Sequence, residues 1–169
     1  MSDVARLFDE HHQSLYRYLV RFTGDADVAA DAAQEAFVKL VERPLAAPVE
    51  RAWLFKVATN FVLEQARTRT RRTLLLDRSP ERAPMADPPR DAQELLEATD
   101  RQAAVRRGLA SLGEKERTAL LMREEGFSHR EIADAVGTTT GSVGTLIARA
   151  LNRLAAELRL DRQVAEGHL

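Results

Sequence analysis

Apolar residues return every three or four positions along most of the chain, and no segment alternates apolar and polar as a half-buried strand does. A first helix is predicted from about Val4 to Phe22, with Leu7, Phe8, Leu15, Tyr18, Leu19 and Phe22 on one inward stripe. Gly24 stands where a C-cap belongs, and Asp25 can cap the next helix. That second helix, about Ala26 to Arg43, turns Val28, Phe37, Leu40 and Val41 inward, and Pro44 and Pro48 bracket a short loop after it. A third, about Glu50 to Arg72, buries Trp53, Leu54, Val57, Phe61 and Val62. It ends in Arg67, Arg69, Arg71 and Arg72, favourable beside the negative end of a helix dipole.

The pattern then breaks. Leu74 to Arg90 holds four of the six prolines, Pro80, Pro84, Pro88 and Pro89, which no helix tolerates in its interior. The stretch reads as a linker reaching at most about 60 Å. Helical period resumes near Asp91 and runs to Ala110; Gly113 then precedes a helix to Glu125. Ser128 stands three positions before Glu131, the spacing of a capping box, and Ile132, Ala133 and Val136 make a short apolar face. Gly137 breaks that helix before a last one from about Thr139 to Leu158. Two helices joined by a tight glycine turn form a helix-turn-helix, whose second helix enters the DNA major groove. On that second helix Val143, Ile147, Ala150, Leu151 and Leu154 cluster inward. Ser142, Thr145, Arg149 and Asn152 fall opposite, able to hydrogen-bond base edges. Thr138, Thr139 and Thr140 begin the helix, where backbone N–H groups and hydroxyls suit a phosphate. Ser128 and Arg130, at the start of the first helix of the pair, complete this candidate set.

Charge sharpens the picture. The 169 residues carry a net charge of only −1, yet residues 51–72 hold 6 basic and 1 acidic side chain, while residues 1–50 hold 5 and 9. A local block of that sign matters more for a polyanion than the whole-chain balance does. With no cysteine, disulfides, thiolate chemistry and cysteine-ligated zinc are excluded. His11, His12, His129 and His168 lack the His-Glu-x-x-His spacing of a helical zinc site, so neither metal nor cofactor is expected. No run is apolar enough for a membrane span and no signal-peptide pattern opens the chain; a cytoplasmic protein is expected.

Three segments, in order, resemble the extracytoplasmic-function (ECF) sigma factors of bacterial RNA polymerase. "DAAQEAFVKL", Asp31 to Leu40, is similar to the polymerase-binding helix of region two. "AWLFKVATNFVLEQARTRTRR", Ala52 to Arg72, is similar to the helix that opens and reads the start-proximal element. "LGEKERTALLMREEGFSHREIADAVGTTTGSVGTLIARALNRL", Leu112 to Leu154, resembles region four. The resemblance implies an all-α chain of two small domains: region two over 1–73, a Pro-rich linker over 74–90, region four with its helix-turn-helix over 91–160, and a tail over 161–169. It implies no enzymatic activity, core RNA polymerase and promoter DNA as partners, an anti-sigma factor, and recognition of the −10 and −35 elements.

Residue by residue, Asp31, Gln34 and Glu35 match the polymerase-contacting positions, and their spacing makes one polar patch opposite Phe37 and Leu40. Lys56, Thr59 and Asn60 match positions that approach the start-proximal element, with the four arginines on phosphates. Trp53 suits either of two roles, a wall for unstacked bases or core packing. The chain departs from its relatives in two places. The loop Arg43 to Arg51 has prolines and no aromatic residue, and Gly144, Leu146 and Leu151 stand where basic residues are common. Other classes remain on the residues alone. A non-sigma helix-turn-helix regulator has no need of the 31/34/35 patch. A protein adaptor would fit two helical bundles. A helical hydrolase would have to use His11 or His12 with Glu10, although adjacent histidines on a helix point about 100° apart.

Overall fold

The computed structural model describes residues 3–43, 45, 50–75, 93–165 and 167. Among them the chain forms α1 (Asp3–Thr23), α2 (Ala26–Glu42), α3 (Glu50–Leu75), α4 (Gln93–Ser111), α5 (Glu114–Glu124), α6 (His129–Val136) and α7 (Thr140–Ala165), and no strand. It divides into two units, Met1–Ala86 and Asp87–Leu169. The loop across Pro44 and Pro48, and the linker from residue 76 on, lie outside the described residues.

In the first unit α2 packs against both α1 and α3. Gly24, at φ +71°, turns the chain out of α1, and its N–H donates to the Val20 carbonyl at 2.8 Å. The Asp25 carboxylate then accepts from the N–H groups of Asp27 and Val28 at 2.8 and 3.1 Å, capping α2 as its sequence predicts. Ala29, Ala32, Ala33 and Ala36 line the buried face of α2, so its neighbours approach it across methyl groups. Leu15, Tyr18 and Leu19 of α1 and Leu54, Phe55 and Ala58 of α3 complete the core.

The periodicity misplaces three side chains. Phe8 is 43% exposed, Val41 62% and Leu151 51%, although each falls on a predicted inward stripe. Val41 and Leu151 stand at stripe edges by the 100° period, whereas Phe8 lies within its stripe, one turn from the start of α1, and meets Phe37 of α2 while keeping part of its ring exposed. Trp53, Val57 and Phe61 are half-buried; Phe55, outside the predicted stripe, is the buried aromatic of α3, tilted on Tyr18 at 5.0 Å between ring centroids. From Glu64 onward no residue of α3 is buried, and the helix continues to Leu75 rather than stopping at Arg72.

In the second unit the Arg117 guanidinium closes the C-terminal end of α4. Its Nε donates to the Leu109 carbonyl at 2.8 Å, and one Nη to those of Ala110 and Leu112 at 3.1 Å. A cation there meets the carbonyls a helix leaves unpaired. The Ser128 hydroxyl accepts from the Glu131 N–H at 3.2 Å, and the Glu131 carboxylate accepts from the Ser128 N–H at 2.8 Å, the reciprocal box its spacing predicts. Gly137, at φ +68°, ends α6 and donates to Ala133. Ile132 and Ala133 of α6 are buried, as are Val143, Ile147 and Ala150 of α7. Helix α7 runs on to Ala165, past the predicted end near Leu158.

Candidate functional site

The outer face of α2 carries Asp31 and Gln34 exposed and Glu35 half-buried, with Ala33, Ala36, Phe37 and Leu40 buried behind them. Glu35 pairs with Lys39 at 3.5 Å. One turn further, Val38 (45% exposed) and Val41 extend the same face. Phe8 of α1 lies beside it, stacked on His12 at 4.4 Å and tilted on Phe37 at 5.0 Å. The acidic patch therefore has an apolar border of Val38, Val41 and Phe8, of which the apolar period predicts Val41 and Phe8 to face the core. Its signal was present: Val38 follows Gln34 and Glu35 by four and three positions, the spacing of one helix face.

On α3 the predicted DNA residues separate. At about 100° per residue, Trp53, Lys56, Asn60, Arg67 and Arg71 fall within roughly 60° of one another. Lys56, Asn60 and both arginines are exposed and Trp53 is half-buried, facing away from Phe55, Ala58 and Val62. Glu64 lies in the same stripe and pairs with Arg67 at 3.9 Å. Arg69 and Arg72, also exposed, point to the other side of the helix.

Thr59 does not belong to this face. It is 3% exposed, its hydroxyl donates to the Phe55 carbonyl at 2.7 Å, and it lies 2.8 Å from the Tyr18 hydroxyl. With its one proton committed to Phe55, Thr59 accepts from Tyr18. Its hydroxyl is a core relay and is closed to DNA.

The α6–α7 pair presents Arg130, Thr139, Thr140, Thr145, Arg149 and Asn152 exposed, and Ser142 half-buried. Thr145, Arg149 and Asn152 share the face opposite Val143 and Ile147. Ser142 sits at its edge, its hydroxyl 2.8 Å from that of Thr139. Ser128 is exposed but committed to Glu131.

The histidines of α1 serve packing. His12 stacks between Phe8 and Tyr16. His11 is 3.9 Å from Glu10. Burial, above all, holds the His11 imidazole below its ordinary pKa; Glu10 opposes this, Arg51 and Arg6 add to it, and Glu50 opposes it. Among the described residues no three His, Asp or Glu side chains converge as metal ligands would, and no helix is long and apolar enough to cross a membrane.

Two family descriptions match this chain, "Sigma-70 region 2" over residues 7–72 and "Sigma-70, region 4" over residues 102–154. Among curated proteins it is similar to the ECF RNA polymerase sigma factor SigL of Mycobacterium tuberculosis, 32% identical over 166 residues, 92% of this chain and 90% of that one. It is also similar to the RNA polymerase sigma-H factor of Pseudomonas aeruginosa, 31% identical over 160 residues, 86% and 82% of the two chains. Its fold resembles that of the sigma factor RpoE of Bartonella quintana, solved with the anti-sigma factor NepR, with a TM-score of 0.74 at 22% identity over 95% of this chain and 99% of that one. An exposed acidic face on the second helix, a basic third helix and a helix-turn-helix thus occur in the order of regions two and four, and the chain belongs to the ECF sigma factors of RNA polymerase.

Proposed function

We propose that the two units divide initiation between them, residues 1–75 acting as region two and 91–160 as region four across a linker that begins at 76, since α3 takes in Leu74 and Leu75. Asp31, Gln34 and Glu35 dock core polymerase. Lys56 and Asn60 meet the melted start-proximal strand, with Trp53 as a flat wall beside it and Arg67 and Arg71 on its phosphates. Arg69 and Arg72, pointing elsewhere, hold neighbouring phosphates. Thr140, Thr145, Arg149 and Asn152 address the upstream element, with Thr139, Ser142 and Arg130 at its backbone. The chain performs no chemistry of its own and works in the cytoplasm, where core polymerase is. An anti-sigma factor, the kind of partner bound in the RpoE structure, holds it inactive by covering these faces.

The observation that carries the reading is the single stripe of exposed Lys56, Asn60, Arg67 and Arg71, with half-buried Trp53 at its start, set opposite the buried face of α3. Such a stripe offers stacking, a base hydrogen bond and phosphate contacts in one line. Run-off transcription with core polymerase tests it. Asn60→Ala lowers initiation on a duplex promoter and matters much less on a pre-melted one; equal loss on both removes α3 from strand opening.

A further inference from the structure

The reading face of α7 differs from the one its apolar period predicts. Leu151 is exposed rather than buried, Ala148 is exposed one turn earlier, and Arg149 is the one charged side chain from Thr140 to Asn152. With Val143 marking the inward direction, Ala148, Asn152 and Thr145 point outward at about 140°, 180° and 200°, with Leu151 at one border near 80° and Arg149 at the other near 240°. Short side chains reach a groove floor only when the backbone comes close. The same arc permits that, because Gly141 and Gly144 lie on it with nothing within 4 Å of where a Cβ would stand.

A major groove offers few partners to methyl groups. The C5-methyl of thymine is its apolar feature, met by alanine, threonine methyl and other apolar side chains, whereas cations gain most at phosphates and guanine. We propose that α7 reads its upstream element through thymine methyl groups, contacted by Thr145, Ala148 and Leu151, with Arg149 fixing one guanine at the border. This rests on the region-four reading of α6 and α7 given above.

Deoxyuridine isolates the contact, since it keeps thymine's pairing and O4 acceptor and lacks only the methyl. Core polymerase carrying the wild-type chain first selects promoters from duplexes with a randomised upstream element. The selected promoter is then remade with deoxyuridine at each upstream thymine in turn, on each strand. Initiation is expected to fall roughly fourfold at two or three neighbouring positions, the worth of one buried methyl, and to hold elsewhere. Ala148→Gly then loses the thymine-to-uracil ratio at one of these positions and Leu151→Ser at another; as a ratio, it does not move with a general loss of folded protein. A selected element without thymine, or one indifferent to uracil at every position, overturns the proposal. If Arg149→Ala still changes the selected sequence in that event, α7 remains the reader and only the methyl contact fails. If it does not, the region-four reading fails as well.

Discussion

Replacing Thr59 by valine separates a core residue from a DNA contact at a position where the two readings predict opposite phenotypes. Valine keeps the shape of threonine and removes the hydroxyl, so the change deletes the 2.8 Å bond from Tyr18 and the 2.7 Å bond to the Phe55 carbonyl while leaving packing in place. Tyr18 is fully buried. Two intramolecular hydrogen bonds at about 0.5–1.5 kcal/mol each make the loss about 1–3 kcal/mol. At the middle of that range, about 2 kcal/mol, the melting midpoint of a unit this size falls by roughly 8–16 °C. Tyr18→Phe alone removes the donor and spares the Phe55 bond, so it costs about 1 kcal/mol. The double variant should then lose less than the sum, with a coupling of about 1 kcal/mol. Calorimetry of the four proteins gives the cycle. Transcription by Thr59→Val, assayed well below its midpoint, should stay within about twofold of wild type. A variant with the wild-type midpoint and lost promoter opening would refute the core assignment and return Thr59 to the DNA face.

Alanine at Asp31, Gln34 and Glu35 together should weaken core polymerase binding by about 2 kcal/mol, roughly thirtyfold in a fluorescence titration, with the melting midpoint nearly unchanged because the residues are at the surface. His11, held below its ordinary 6.5, binds fewer protons folded than unfolded; the stability it confers is complete above 6.5, declines as pH falls through it, and levels off below the folded value. Urea midpoints at pH 7.5 and 5.5 should show that decline, and His11→Gln should reduce it. Gly144→Arg should tighten binding to duplex of any sequence and steepen its salt dependence by about 0.9 per phosphate gained, with little gain in promoter discrimination. Competition between the selected promoter and random duplex across a salt series reads both effects.

What the sequence makes legible is what local chemistry controls. The Asp25 cap, the Ser128–Glu131 box and the left-handed Gly24 and Gly137 each arise from residues within a few positions of one another, and all form. Burial depends on where another helix packs, which a period of 3.6 does not encode; Val41 and Leu151, at the edges of their stripes, and Phe8, near the start of α1, are exposed although each lies on a predicted inward stripe. Thr59 shows the limit at the site. Its place in a motif suggests DNA, but a partner 41 positions away in the chain makes it structural. Phe55 escapes the predicted stripe because its burial comes from a partner distant in the chain, Tyr18 of α1, which the period of α3 does not encode.

That alanine face has a mechanical consequence for the surface on its far side. Along most of its buried face α2 contributes only the methyl groups of Ala29, Ala32, Ala33 and Ala36, with Phe37 and Leu40 buried toward its C-terminal end, so much of the helix is registered by contacts one methyl deep on its own side. All four alanines are fully buried, so a larger residue at any of them enters a filled face, and overpacking of this kind shifts backbone at a cost of about 1–3 kcal/mol. The helix would move as a rod, carrying Asp31, Gln34 and Glu35 with it. An alanine-to-valine change in the core can therefore misaim an interface it never touches, and variants selected for lost polymerase binding should include substitutions on both sides of α2.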